Sequence, residues 1–427
     1  MTRRLQSVRP LLLAPVLALA LVGCTNDAAE DDGGSAADGS FVDVEDCTDP
    51  DAATAPIEDT ITLGYSAPLS GPVAGPVELA SSGYQARIAR ANAEGEVDGV
   101  EIELSYKDDA FQPDKAKANV TEFIESDGVD ILSTFGSGPL SAVADDQNAA
   151  CVPMLYPSAT APEFFDIGNY PWTVQYLPAA DRETRFVADL IKAEHPGDDL
   201  KVGVAINQTA SGETNAENFL AAAEDAGIEV VAEVPDTDPN AAATQLSSSG
   251  ANVVYHAGNV GTCAVLDTAM KRLGYEPEFV IKPSNCVSRP EYLAAGDAAD
   301  GVTVPSFLKD PQAPEYADDE GVQAYLDDLG DDPNAMDPVA VNGWIQADIL
   351  VETLAKAAES EDGLTRLSIM EAARDLDYAS PMFAEGISWI STPEALTGIS
   401  GFRPVAWSAA EERFIPSGDV IQVETLD

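Results

Sequence analysis

From about Ile57 onward this 427-residue chain alternates short apolar runs with amphipathic ones, and that alternation narrows its possible folds more than any other feature. "TITLGYSA" predicts a strand, and "VELASSGYQARIARANAEG" predicts a helix that stops at Gly95. "VEIELSYKD" (strand), "PDKAKANVTEFIESDG" (helix, Gly128 as its stop), "VDILSTFG" (strand), "PLSAVADDQNAA" (helix) and "VPMLYPS" (strand) continue the series. A helix over "RETRFVADLIKAEHPG" restarts it. The strands "KVGVAIN", "IEVVAEVP", "ANVVYHAG" and "EFVIKPS" follow, with helices over "NAENFLAAAEDAG" and "CAVLDTAMKRLGY". Repeated βαβ units require parallel sheets covered by helices on both faces. The units are about twice as many as one such sheet takes, so the expected fold class is α/β with two doubly wound parallel-sheet lobes. After "DGVTVPSFLKDP" the rhythm changes to two helices, "AVNGWIQADILVETLAKAAES" and "LTRLSIMEAARDL", and then to a tail of strands and turns with an acidic end.

The N-terminal segment has another character. Arg3, Arg4 and Arg9 precede "LLLAPVLALALVG", an apolar run too short to span a bilayer well, and Cys24 follows at once. That layout predicts a secretory signal over residues 1–23. The small residues before Cys24 resemble the lipobox of bacterial lipoproteins, which implies a lipidated Cys24 and cleavage just before it. The other reading is an ordinary signal peptide with an incidental cysteine. Residues 24–56 are rich in Asp, Ala, Gly and Ser, with no Lys or Arg between Arg9 and Arg87, and predict an acidic flexible tether. The expected location is the extracytoplasmic face of a bacterial cell membrane, with the lipid as the only anchor. No later apolar stretch is long enough to cross a membrane.

Formal charge is −52 at pH 7, and loss of the three arginines of residues 1–23 would bring it to −55. Repulsion excludes nucleic acid as a partner. So dense an acidic surface favours solubility and suits either salty surroundings or simple solvation. Four cysteines follow Cys24, and an exported chain pairs them by default. Cys263 and Cys286 are close in sequence and form the first expected pair. Cys47 with Cys151 would then pin the tether to the first lobe. The cysteine spacings match no zinc pattern and only two histidines exist, His195 and His256, so no metal and no cofactor is expected.

Open α/β sheets bind ligands beyond the carboxyl ends of their strands. Two strands of the first lobe end in small hydroxyl residues. One is "ILSTFGSGP", with Ser137 and Gly138 before a helix whose N-terminus favours an anion. The other is "MLYPSATAPE", where prolines stiffen Ser158, Ala159 and Thr160. Such a pair can grip a carboxylate or other small acceptor with no catalytic group, although Ser158 and Thr160 could instead cap the next turn.

These stretches carry a resemblance. "ITLGYSAPLSGPVAGP", "YKDDAFQPDKAKANV", "FGSGPLSAVADDQ" and "YPSATAPEF" resemble the solute-binding proteins of ABC importers for branched-chain amino acids and amides, with a type I periplasmic binding fold. The likeness is continuous over about 58–180, weaker to about 310, and beyond that rests on element order. It implies two lobes joined by three hinge crossovers and closing over a small solute. The lobes would be 57–178 with about 305–395, and 179–304 with about 396–427. It implies that Ser137 and Thr160 hold a ligand carboxylate through hydroxyl and N–H, and that Ser158 offers its carbonyl to an ammonium. In the second lobe Ser211 and Gly212 stand at the family's aromatic–glycine pair, Asn259 stands near an aromatic position, and Ser284 and Asn285 stand where amino-acid binders carry an acid. Tyr156 borders the site and is expected to line it. Pro76 stands where a tyrosine is expected. The carboxylate half is therefore intact while the ammonium half lacks its charge, unless Glu213 or a rearranged loop supplies one. The expected solute is small and polar or carboxylate-bearing: a branched-chain amino acid, an amide or a related compound. The implied partners are that solute and the permease subunits of an importer, with the binding protein itself a monomer.

Two other functional classes fit the sequence less well. A serine hydrolase would need the elbow G-x-S-x-G, which "FGSGP" does not supply, and no phosphate-cradling loop is present. Asp108–Asp109 and Asp145–Asp146 carry little information in so acidic a chain, and His256 reads as a hydrogen-bonded structural residue. A ligand-sensing surface receptor without transport would use the same lobes.

Overall fold

The computed structural model of the protein describes residues 41–197 and 199–423. The expected signal segment, Cys24 and the start of the tether lie outside the described residues. From Phe41 on, the expected tether is not free. Val42 is buried, and a short helix α1 (Pro50–Thr54) buries Ala53. The Thr48 N–H donates to Ala149 O at 2.8 Å, and Cys47 is bonded to Cys151. Composition understated this segment because a covalent link, backbone hydrogen bonds from Thr48 and Ile57 and a few small buried side chains hold it, none of which composition reports.

The first sheet runs β2-β1-β3-β4-β5, all parallel, from β1 (Thr60–Ala67), β2 (Glu101–Asp108), β3 (Ile131–Thr134), β4 (Met154–Leu155) and β5 (Thr173–Val174). Helices α2 (Ala74–Glu94), α3 (Pro113–Glu122) and α4 (Ser137–Ala149) connect its strands. Helix α2 ends where the sequence predicts, on Gly95 at φ 67°, a left-handed cap that glycine adopts without a Cβ clash.

The second lobe starts at α5 (Ala180–Glu194) and contains β6 (Val202–Ile206), α6 (Ala210–Asp225), β7 (Val230–Pro235), α7 (Pro239–Ser249), β8 (Val253–Ala257), α8 (Val265–Leu273), β9 (Phe279–Ile281), α9 (Arg289–Ala295) and β10 (Thr303–Ser306). Helix α7 escapes the sequence reading because its core face is mostly alanine, Ala242 and Ala243 with a single Leu246. The chain then returns to the first lobe through α10 (Glu320–Leu329), α11 (Pro338–Ala358), α12 (Arg366–Ala373) and a small antiparallel sheet of β11 (Leu376–Tyr378), β12 (Trp389–Thr392) and β13 (Ala395–Ile399). It ends in β14 (Gly401–Ser408), β15 (Arg413–Pro416) and β16 (Ile421–Gln422). The second sheet is β15-β14-β10-β9-β8-β6-β7, with β16 also on β14, and β14 enters antiparallel to β10.

The chain thus crosses between the sheets three times: after β5, after β10 and before β14. Both lobes wind their first five strands in the same order, each with its second strand outside its first. Strand order therefore reverses beside β1 and β3 in one lobe and beside β6 and β8 in the other. Ligand crevices form at such reversals.

Helix α11 is buried on nearly all sides and packs on α2. Backbones touch there: a Cβ on Gly83 would collide with Ala340 O, and one on Gly343 with Ala80 O. Beside this contact Arg87 is buried, donating to Asp348 Oδ1 at 2.7 Å and to both oxygens of Glu96. The pairing outweighs desolvation and holds the guanidinium pKa above its ordinary value.

Candidate functional site

The loops at the two strand-order reversals face each other across a cleft of about 60 Å³. From the first lobe come Phe111, Phe135, Gly136, Ser158 and Thr160, and from the second Ser211, Asn259, Val260 and Asn285. The first crossover adds Tyr176 and Leu177, and α11 adds Val339, Asn342 and Gln346.

On the first-lobe side, β3 ends at Thr134 and Gly136 turns the chain at φ 94° into α4. A Cβ on Gly136 would lie 2.5 Å from the Phe111 ring, so glycine is needed both for the turn and for the ring that covers it. Ala110 and Phe111 themselves hold left-handed backbone, φ 49° and 61°, and Tyr156 holds φ 53°. Such conformations cost about 1–3 kcal/mol each and persist where surrounding structure imposes them. Here Asp109 accepts the Phe111 N–H at 2.8 Å, and Gln346 of α11 donates to Tyr156 O. Both strained loops border the cleft.

The sequence-derived residues divide into two groups. Ser137, Thr160 and Ser211 meet although 23 and 74 residues separate them from Ser137. The Thr160 N–H donates to Ser137 Oγ at 3.2 Å, the Ser137 N–H to Ser211 Oγ at 3.4 Å, and the Ser211 hydroxyl to Ser137 Oγ at 3.3 Å. These donors sit at the N-terminus of the 13-residue α4. Thr160 Oγ1 is buried with no partner in the protein. Ser158 lines the same wall, and Gly138, in the first turn of α4, faces Ala210 of the other lobe. Asn259 and Asn285 line the opposite wall, with Asn285 Nδ2 donating to Asn259 Oδ1 at 3.1 Å and Asn285 Oδ1 left without a partner.

The remaining residues point elsewhere. Tyr156, expected to line the site, is turned into the core, with its hydroxyl on Thr353 at 2.5 Å and its ring against Trp389. Its left-handed backbone rotates the side chain away from the cleft. Ala159 is packed in the core behind the loop. Gly212 lies against Asn207, where a Cβ would strike Asn207 O, and Glu213 is exposed on α6. Neither Gly212 nor Glu213 is among the cleft-lining residues, and Ser137 and Gly138 lie just behind the lining rather than in it. Ser284 serves the interior: its N–H and hydroxyl donate to the two oxygens of Glu183 at 2.9 and 2.5 Å. Glu183, in the first turn of α5 just past the first crossover, is buried, and that burial pushes its carboxyl up to about 7 against the lowering effect of both Ser284 bonds.

Sequence reasoning missed Phe111, Tyr176, Asn342 and Gln346. Phe111 stood within the quoted "YKDDAFQP", but nothing local marks a loop phenylalanine as a wall. Asn342 and Gln346 lie one helical turn apart on α11, which only the α2 packing brings to the cleft. Asn342 accepts the Tyr176 hydroxyl at 2.7 Å. At the N-terminus of α11, Asp337 Oδ2 accepts the Arg289 N–H of α9 at 3.1 Å, a contact between the lobes, and burial pushes its carboxyl up to about 6. His256 pairs with Asp236 at 3.0 Å inside the second lobe, away from the cleft lining. Both expected disulfides, Cys47–Cys151 and Cys263–Cys286, are formed. Among the described residues no helix is long and apolar enough to cross a membrane.

A cleft of hydroxyls, amides and N–H groups between two lobes can hold a solute but offers no activated nucleophile. Comparison with known proteins agrees. The leucine-, isoleucine-, valine-, threonine- and alanine-binding protein of Pseudomonas aeruginosa is 28% identical over 269 residues, covering 60% of this chain and 69% of that protein. A branched chain amino acid ABC transporter protein from Thermus thermophilus, solved with bound valine, superposes with a TM-score of 0.76 at 19% identity, over 85% of this chain and 97% of that one. A solute binding protein of an ABC transporter from Rhodopseudomonas palustris, in complex with 3,4-dihydroxy benzoic acid, gives 0.70 at 20% identity, over 86% and 98%. The family model for periplasmic binding proteins matches residues 60–405, and this chain belongs to that family, whose members bind solutes rather than transform them.

Proposed function

We propose that this chain is an extracytoplasmic solute-binding lipoprotein, anchored through Cys24, that captures a small carboxylate-bearing or polar solute by hinge closure and hands it to an ABC importer. The moving bodies are 57–178 with about 305–395, and 179–304 with about 396–427. The observation that carries the reading is the meeting of Ser137, Thr160 and Ser211 from two lobes at the N-terminus of α4, where Thr160 Oγ1 is left unpaired. A solute oxygen supplies that missing partner, and the second lobe closes over it by rotation about the three crossovers. The valine and dihydroxybenzoate bound by relatives both carry a carboxylate.

A melting-temperature screen of amino acids, amides, short and aromatic carboxylates and polyols tests this. A true ligand at a hundred-fold excess over Kd stabilises by about 2.7 kcal/mol. Ser137→Ala and Thr160→Ala should each weaken the best ligand. If both left its affinity unchanged, the cleft assignment would be wrong. Membrane release on Cys24→Ser tests the anchor.

A further inference from the structure

In a chain where 22% of residues are charged, every side chain that lines the cleft is uncharged. We infer that the cleft takes a flat monocarboxylate with an apolar body and no ammonium group, an aromatic hydroxycarboxylate, rather than a zwitterionic amino acid. This rests on reading the cleft as the solute site.

First, an enclosed ammonium needs a carboxylate, because an unpaired buried cation is costly. Glu183 is the buried acid bonded to Ser284, yet Ser284 already occupies both of its oxygens, and it does not line the cavity. Glu213 is exposed. Second, the anion end is provided for. The unpartnered Thr160 Oγ1 is buried in the cleft wall beside the N-terminus of α4, whose positive end favours an anion, while the Ser137 and Thr160 N–H groups are already held by Ser211 Oγ and Ser137 Oγ. Third, the rest of the lining is largely apolar, with Phe111 and Phe135 edge-to-face at 6.3 Å and Leu177, Val260, Val287 and Val339 beside them. Asn285 Oδ1, unpaired on the far wall, accepts a neutral donor such as a phenolic hydroxyl.

The protein's own charge adds a second signature. At a formal −52 its field opposes an entering anion, and the screening length falls from about 30 Å at 0.01 M salt to about 8 Å at 0.15 M. Affinity for a monoanion should therefore rise with salt over that range, whereas affinity for a net-neutral zwitterion should stay level.

The test is calorimetric titration of the full mature chain with 4-hydroxybenzoate, L-valine and L-leucine at low and moderate salt, repeated with Asn285→Asp and Thr160→Val. We expect hydroxybenzoate to bind at least about ten-fold more tightly than either amino acid, equivalent to about 1.4 kcal/mol. We expect its affinity to rise with salt, and Asn285→Asp to weaken it roughly ten-fold while improving valine. Valine or leucine binding as tightly as hydroxybenzoate would overturn the inference and leave solute capture standing. Hydroxybenzoate failing to bind would overturn it too; solute capture then stands if another solute shifts the melting temperature, and falls if none does.

Discussion

Replacing Glu183 with Gln should flatten a pH dependence that this carboxylate builds into the protein. Burial raises its pKa from 4.5 to about 7 in the folded chain. Below 4.5 both folded and unfolded chains hold the proton, and the group makes no difference. Between 4.5 and about 7 only the folded chain holds it, so folding stability falls as pH rises. Above about 7 the loss is complete. At about 1.36 kcal/mol per unit, the interval costs about 3 kcal/mol. Glutamine keeps the shape and cannot ionise. It should match the wild type near about pH 4.5 and exceed it by about 3 kcal/mol near about pH 8. Urea denaturation of both proteins across that range measures the difference. The other acids, Asp337 among them, titrate in both proteins and cancel. A wild-type-minus-variant difference that stays flat within about 1 kcal/mol would refute the reasoning, since the carboxylate would then ionise alike folded and unfolded.

Three further outcomes follow from the geometry. Tyr156→Phe should cost about 1 kcal/mol of stability and leave solute affinity within two-fold, since the hydroxyl meets Thr353 in the core; a larger affinity loss would put the ring in the cleft. Gly136→Ala should destabilise by about 1–3 kcal/mol and weaken the solute, because it strains a φ of 94° and displaces the Phe111 ring; equilibrium denaturation paired with calorimetry checks both. Breaking Cys47–Cys151 by paired Ser substitutions opens a link across 104 residues and should cost about 2–5 kcal/mol, and an unchanged denaturation midpoint would show that the link adds nothing.

Much of this architecture was legible before any coordinates. Strand β1 occupies the run "TITLGYSA" from end to end, because period and length agree there. The hydroxyl-bearing ends of β3 and of "MLYPSATAPE" announced that something small meets the backbone, and folding brings Ser137 to Thr160 and Ser211. What failed was direction and partnership. Tyr156 stands in the right loop and points the wrong way, because a left-handed φ at one residue is not visible in residue type. Ser284 stands where an acid was sought, and the acid it binds lies 101 residues earlier.

Local chemistry in the chain, its apolar periods, glycine stops and strand-terminal serines, is enough to dictate two parallel-sheet lobes and to place small donors at their edges. Those features act over a few residues, so one sequence carries them whole. The uncharged lining of the cleft, the burial of Glu183 and the reach of Asn342 and Gln346 arise only when α11 packs on α2 and the two sheets face each other. Burial and charge environment belong to the surroundings of a side chain, and the surroundings are assembled from parts of the chain that lie hundreds of residues apart.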